Sequence, residues 1–161
     1  MAKKVKVKKT LVQQILTKAG ISHTGIQINA LEGEMPQGYE KSQIFKTLAL
    51  LGDKTGPIIG ILPITEYLSE KKLAKISGNK KVSMIPQKDL EKTTGYIHGA
   101  NNPVGIRQKH NYPIFIDQTA LQLNEMIVSA GEVGHSIIIN PQDLASFVKA
   151  EFADILEASN T

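Results

Sequence analysis

Apolar residues along the chain keep two different spacings, and the changes from one to the other divide it into helices and strands. Leu11, Val12, Ile15, Leu16 and Ala19 recur at the helical period, behind Thr10, which can cap a first turn, and ahead of Gly20, which suits a helix end. Residues 44–51 and 57–63 are dense aliphatic runs instead, and Gly52-Asp53-Lys54-Thr55-Gly56 between them has the residues of a hairpin turn. Ser69 opens a lysine-rich helix to residue 76, stopped by Ser77-Gly78-Asn79, and residues 81–85 read as a strand. Pro86 suits a first helical position, with Asp89 in the first turn and Gly95 beyond the end.

Residues 95–113 break the pattern. Gly95, Gly99, Pro103, Gly105 and Pro113, with Asn101 and Asn102, are too many breakers for regular structure and predict a long ordered loop of the kind that carries function. Beyond it, residues 114–116, 125–129 and 136–140 read as short strands, and Pro141 begins an amphipathic helix expected to run to residue 156. Strands and helices come in mixed order, which argues against a doubly wound sheet and for a mixed, curled sheet with helices packed around it.

The size, 161 residues, suits one domain, and 41% hydrophobic with 21% charged residues is the balance of a soluble globular chain. No apolar stretch reaches the ~20 residues that span a bilayer, so a cytoplasmic protein without a membrane role is expected. Cysteine is absent, which removes disulfides, a thiolate nucleophile and a cysteine-held zinc. His23, His98, His110 and His135 show no HExxH or HxH spacing, and neither a metal nor another cofactor is expected.

The net charge of +4 is unevenly spread: residues 1–20 carry +6, 21–70 carry −3, 71–109 carry +7 and 110–161 carry −6. Two basic blocks separated by acidic ones suit a surface that holds a polyanion such as a nucleic acid backbone, although solvated lysine faces look the same in sequence. The lysine run at residues 3–9, alternating with Val5 and Val7, reads as a tail or a short strand.

Two features could build a site. Lys46 interrupts the apolar run at residues 44–51, sharing a strand face with Ile44, Leu48 and Leu50. An ammonium there must reach solvent, an internal acid or an anionic ligand, because burying it unpaired is costly. The second feature is the loop, where Gly95, Gly99 and Gly105 allow backbone N–H groups to turn toward an oxygen. Gly131 and Gly134 mark a further turn beside Ser129, equally readable as a plain hairpin. No GxGxxG, GxxxxGK[ST] or GxSxG pattern occurs, so a dinucleotide fold, a P-loop and a serine-hydrolase elbow lack support.

These segments resemble the YbaK/EbsC family of aminoacyl-tRNA deacylases, related to the editing domain of bacterial prolyl-tRNA synthetase. The resemblance runs through Phe45-Lys46-Thr47-Leu48, Lys72-Leu73-Ala74, Ser77-Gly78-Asn79-Lys80-Lys81-Val82, Thr94-Gly95-Tyr96, Gly99, Pro103-Val104-Gly105, Val128-Ser129, Gly131, Gly134 and Pro141-Gln142-Asp143-Leu144. It implies an α/β fold with a curled, barrel-like mixed six-stranded sheet surrounded by helices, over one domain at residues 1–161. It also implies Lys46 as the essential lysine, with Thr47, Gly95, Tyr96, Gly99, Asn102, Pro103, Gly105, Ser129 and Gly131 around the substrate. The implied partners are the aminoacylated end of a tRNA and prolyl-tRNA synthetase, not DNA, and the implied reaction is trans-editing of cysteinyl-tRNA(Pro). In that scheme Lys46 holds the terminal adenosine or its ester by charge, donors near Gly99 and Gly105 hold the carbonyl oxygen, and the substrate thiol attacks its own ester.

The chain departs from the family pattern at several points. Asn102-Pro103 stands for Ser-Pro, Ala130-Gly131-Glu132-Val133-Gly134 stands for Gly-Gly-x-Arg-Gly without its arginine, and Ile28 sits where an aromatic is usual. Residues 31–41 lack a convincing helix. Removal of alanine instead of cysteine, a tRNA- or synthetase-binding module without turnover, and a small-ester hydrolase are the competing readings.

Overall fold

A computed structural model describes residues 9–28 and 34–158; most of the lysine run, and residues 31–33, lie outside them. Helix α1 (Leu11–Lys18) begins as its sequence predicts: Thr10 Oγ1 accepts from Gln13 N, and Gln13 Oε1 accepts from Thr10 N. This reciprocal cap satisfies two of the donors that every helix start leaves free. Val12 and Leu16 are the residues it buries.

Strands β1 (His23–Ile26), β2 (Phe45–Gly52) and β3 (Gly56–Pro63) follow. β2 and β3 form the expected hairpin, in register from Phe45↔Pro63 to Gly52↔Gly56. Next come α2 (Glu70–Ser77), β4 (Val82–Met84) and α3 (Gln87–Thr94), with Pro86 one residue outside the helix, at its cap. The chain continues with α4 (Pro103–Lys109), β5 (Ile114–Asp117), β6 (Met126–Glu132), β7 (His135–Ile139), α5 (Pro141–Val148) and β8 (Glu151–Ala153).

The fold is mixed α/β, as expected, but the strands divide between two sheets rather than forming one of six. A five-stranded mixed sheet has the order β4-β2-β3-β5-β8, and a three-stranded antiparallel sheet the order β1-β7-β6. The sheets touch edge to edge through a parallel bridge between Ile44 and Ile127. Two strands escape the hydrophobic pattern: β1 reads His-Thr-Gly-Ile with little alternation, and β8 is three residues long.

Two further expectations are corrected. The 95–113 segment is not all loop, because Asn102 caps α4 by accepting from Gly105 N and Pro103 occupies the first turn. Gly105 is tolerated inside this helix for a packing reason, since a Cβ there would overlap the Tyr96 hydroxyl. The last helix stops at Val148, not residue 156, where Lys149 turns left-handed at φ 58° and releases the chain into β8.

The main core lies between the sheets. Phe45, Ala49, Ile59, Ile61, Ile114 and Ile116 meet Met126, Val128, Ala130, Ile137 and Ile139, closed by residues of α1, α4 and α5. A second cluster, with Leu50, Ile58, Leu62 and Phe115 against Leu73, Ala74 and Ile155, covers the other face of the large sheet. Burial on both faces makes β2 and β3 read as continuous apolar runs. Among the described residues no helix is long and apolar enough to cross a membrane.

Candidate active site

The gap between the sheets follows from how β2 is paired. Its outer edge joins β4 only at Leu50, Leu51 and Gly52, while the bridge to the small sheet begins before it, at Ile44. Between those points the edge of β2 borders a cleft of about 260 Å³, whose far walls come from α3, the 98–101 loop, β6 and β7. Ile44, Leu48, Met84, Ile85, Leu90, Ile127 and Val128 make the lining mainly apolar.

Lys46 enters this lining from β2. It lies opposite Leu62 and on the same side of the strand as Leu48 and Leu50, the row that packs on the second cluster. Its Nζ donates to the Glu66 backbone oxygen at 2.9 Å and stands 5.8 Å from the centre of the Tyr67 ring. The ion pairs among the described residues are Lys72 with Asp154 and Lys92 with Asp89, so no carboxylate holds Lys46. Burial lowers its pKa below the ordinary lysine value, against a smaller opposing pull from Glu66. A cation partly stripped of water, and bonded only to a carbonyl, is suited to an anionic ligand.

The 98–101 loop is tied to both sheets. Asn101 Nδ2 donates to Thr47 O at 3.1 Å, and Ser129 Oγ donates to Gly99 O at 3.2 Å while accepting from Gly131 N at 3.2 Å. Gly99 holds φ +90°, a conformation that side chains resist. The backbone N–H groups of Gly99 and Asn101 have no acceptor among the described residues. Two buried side-chain atoms in the lining, Thr47 Oγ1 and Asn101 Oδ1, also lack a partner.

Of the residues expected around a substrate, Lys46, Thr47, Gly99 and Ser129 line the cleft. Gly95, Tyr96, Asn102, Pro103, Gly105 and Gly131 are not among its lining residues. Gly95 ends α3 at φ +86°, and the Tyr96 ring lies under Lys109 Nζ at 5.0 Å. Asn102 is fully buried, donating to Ala100 O at 3.0 Å and accepting from Gly105 N at 2.6 Å. The Gly105 N–H is therefore engaged in the cap and unavailable to a ligand.

Sequence reasoning passed over Asn101, His98, His135 and Ser136, all in the lining. Asn101 counted only as a loop former, and the histidines showed no spacing motif. No histidine is bonded to the hydroxyl of Thr47, Ser129 or Ser136 among the described residues, and Ser129 Oγ is engaged with Gly99 O and Gly131 N.

The Ser77-Gly78-Asn79 motif has a different role. Asn79 Oδ1 accepts from Lys54 N at 2.8 Å and Thr55 N at 3.0 Å, and its Nδ2 donates to Thr55 Oγ1 and Ser77 Oγ. It clips the β2–β3 turn onto the end of α2.

Comparison with known proteins places the chain in a family. Residues 30–147 match the model of the aminoacyl-tRNA editing domain. EbsC of Enterococcus faecalis, which carries a provisional assignment as a Cys-tRNA(Pro)/Cys-tRNA(Cys) deacylase, is 46% identical over 118 residues, 73% of this chain and 71% of that protein. The proline–tRNA ligase of Limosilactobacillus fermentum is 28% identical over 105 residues, 63% of this chain but 18% of the ligase. A crystal structure of a provisionally assigned trans-editing enzyme for prolyl-tRNA synthetase superposes with TM-score 0.76 at 24% identity, covering 91% of this chain and 95% of the other. A crystal structure of a hypothetical protein reaches TM-score 0.81 at 20% identity, covering 91% and 99%. At these identities the two structures show a shared fold.

Proposed function

The chain belongs to the aminoacyl-tRNA editing family, and on that premise we propose that it is a deacylase acting in trans, which clears cysteine from tRNA(Pro) by positioning the ester at the edge of β2. The observation that carries this reading is that Lys46, held by no carboxylate, shares a mainly apolar cleft with Gly99 and Asn101, whose backbone N–H groups have no acceptor among the described residues. Lys46 holds the phosphate or ester region of the terminal adenosine by charge. In this reading the Gly99 and Asn101 N–H groups would hold the carbonyl oxygen as it gains negative charge, the task of an oxyanion hole. About 260 Å³ admits a small aminoacyl group and part of a ribose. The donors of a substrate ammonium or ribose hydroxyl would meet the unpartnered Thr47 Oγ1 and Asn101 Oδ1.

With no hydroxyl of the lining bonded to a histidine among the described residues, and Lys46 assigned to charge binding, the attacking group in this reading comes from the substrate or from water. A cysteinyl ester carries its own: its sulfur attacks the carbonyl carbon, the C–O bond to the ribose breaks, the thiol proton passes to the departing ribose oxygen, and a thiolactone leaves. Binding both ends of the ester in a folded pose supplies the rate. Prolyl-tRNA synthetase is the natural source of the mischarged substrate.

Single-turnover deacylation of cysteinyl-tRNA(Pro) and alanyl-tRNA(Pro), parent against Lys46→Ala, tests the reading. Faster clearance of the cysteinyl ester, lost in the variant, supports it. Preferential clearance of alanine moves the substrate, and clearance of neither ester above buffer rejects the deacylase.

A further inference from the structure

Tyr67 is 75% exposed, yet the backbone that carries it is fixed on both sides. Tyr67 O accepts from Glu157 N at 2.9 Å, Ser69 N donates to Ile155 O at 2.8 Å, and Leu68 bridges to Leu156. On the other side, the Glu66 carbonyl receives the Lys46 ammonium. Leu68 packs on the second cluster while its neighbour Tyr67 is left in water. The Tyr67 hydroxyl has no hydrogen-bond partner among the described residues, and the polar group that meets its ring is the Lys46 ammonium.

Its surroundings point to a nucleotide. Lys46 Nζ stands 5.8 Å from the ring centre and is at once part of the cleft lining. The following helix, α2, adds Lys71, Lys72 and Lys75, of which Lys72 is paired with Asp154. An aromatic side chain on a fixed backbone beside a cation is an arrangement by which single-stranded nucleic acids are held, with base on ring and phosphate on ammonium. A protein ligand seeking an exposed tyrosine would not need the cation beside it.

We infer that Tyr67 is a stacking platform for the unpaired terminal base of the RNA, holding the adenine while Lys46 holds its phosphate and the ester enters the cleft. This rests on the reading of Lys46 and the cleft given above. It makes Tyr67 a positioning residue that selects a single-stranded purine end irrespective of the amino acid attached.

The chain has no tryptophan, so Tyr67→Trp places a sole indole at the platform. The probe is an uncharged acceptor-stem minihelix ending in CCA, compared with the same minihelix lacking its terminal adenosine. Quenching of the indole by the first and not the second is expected. For turnover, Tyr67→Leu should raise KM by roughly 5- to 100-fold with kcat unchanged, and Tyr67→Phe should restore it. Equal quenching by both minihelices, no quenching, or a Tyr67→Leu variant that loses kcat at unchanged KM would overturn the proposal. Because the minihelix is uncharged, selective quenching without deacylation would uphold the platform while rejecting the deacylase reading.

Discussion

The two ends of β2 each place a buried asparagine against the strand, and the two residues differ in what is left over. Asn79, 8% exposed, uses both ends of its amide on the β2–β3 turn and α2, and no side-chain polar atom remains unpaired. Asn101, 7% exposed, donates to Thr47 O and leaves Oδ1 without a partner, next to a cleft where Thr47 Oγ1 is also unsatisfied. A buried polar atom without a bond costs about 1–3 kcal/mol, and folding alone gives no reason to keep two of them together. The satisfied end stabilises the fold, whereas the other leaves two polar atoms at the cleft without a partner among the described residues.

That contrast is broken most sharply at Lys46, on the cleft side of the strand. Lys46→Ala should lower single-turnover clearance by about 100-fold or more while leaving the thermal midpoint unchanged or slightly raised, because a partly dehydrated ammonium is lost. A matching fall in stability would make Lys46 a structural residue. At the other end, Asn79→Ala removes four hydrogen bonds and should destabilise by roughly 2–4 kcal/mol in urea unfolding, with clearance per folded molecule retained. A loss of clearance without a loss of stability would erase the distinction between the two ends.

A smaller effect is expected from Asn101→Leu, which removes one bond to β2 but also the orphaned oxygen. Stability should move by no more than about 1 kcal/mol, and clearance should fall by about tenfold as the loop loses its tie to Thr47. Urea unfolding and single-turnover assays measure the two separately.

The smallest effect concerns pH. Burial lowers the Lys46 pKa, so between that lowered value and the ordinary lysine value the unfolded chain holds more protons than the folded one. Stability should therefore rise with pH across that interval, and Lys46→Met should remove the rise. Binding of adenosine 5′-monophosphate runs the other way, weakening as pH climbs through the lowered value. Calorimetric titration of both proteins checks the sign, and an unchanged profile in Lys46→Met would remove Lys46 from phosphate binding.

Much of the architecture is legible in the sequence because local rules and packing agree there. Thr10 and Ser69 announce their helices by capping them, and the β2–β3 hairpin follows from two apolar runs and a glycine-flanked turn. Asn102-Pro103 was an equally good start signal for α4, masked by the density of breakers around it. The end of α5 is hidden in the sequence because the apolar residues of β8 and the segment after it fall in near-helical phase, while pairing with β5 draws residues 151–153 into a strand. The lysine and the glycine loop stood out as residues in unexpected company, whereas Asn101 and Tyr67 did not, being ordinary in a loop and on a surface.

By itself the sequence determined the starts of α1, α2 and α5, the hairpin, the apolar runs of the core and a cation set among aliphatic neighbours, because each depends on residues close in the chain. The tertiary structure decided which edge of β2 stays unpaired, that a carbonyl rather than a carboxylate receives Lys46, and that Thr47 and Asn101 meet across 54 positions. Those depend on contacts between distant segments, where the pairing of strands and the count of satisfied polar groups are set by the whole fold.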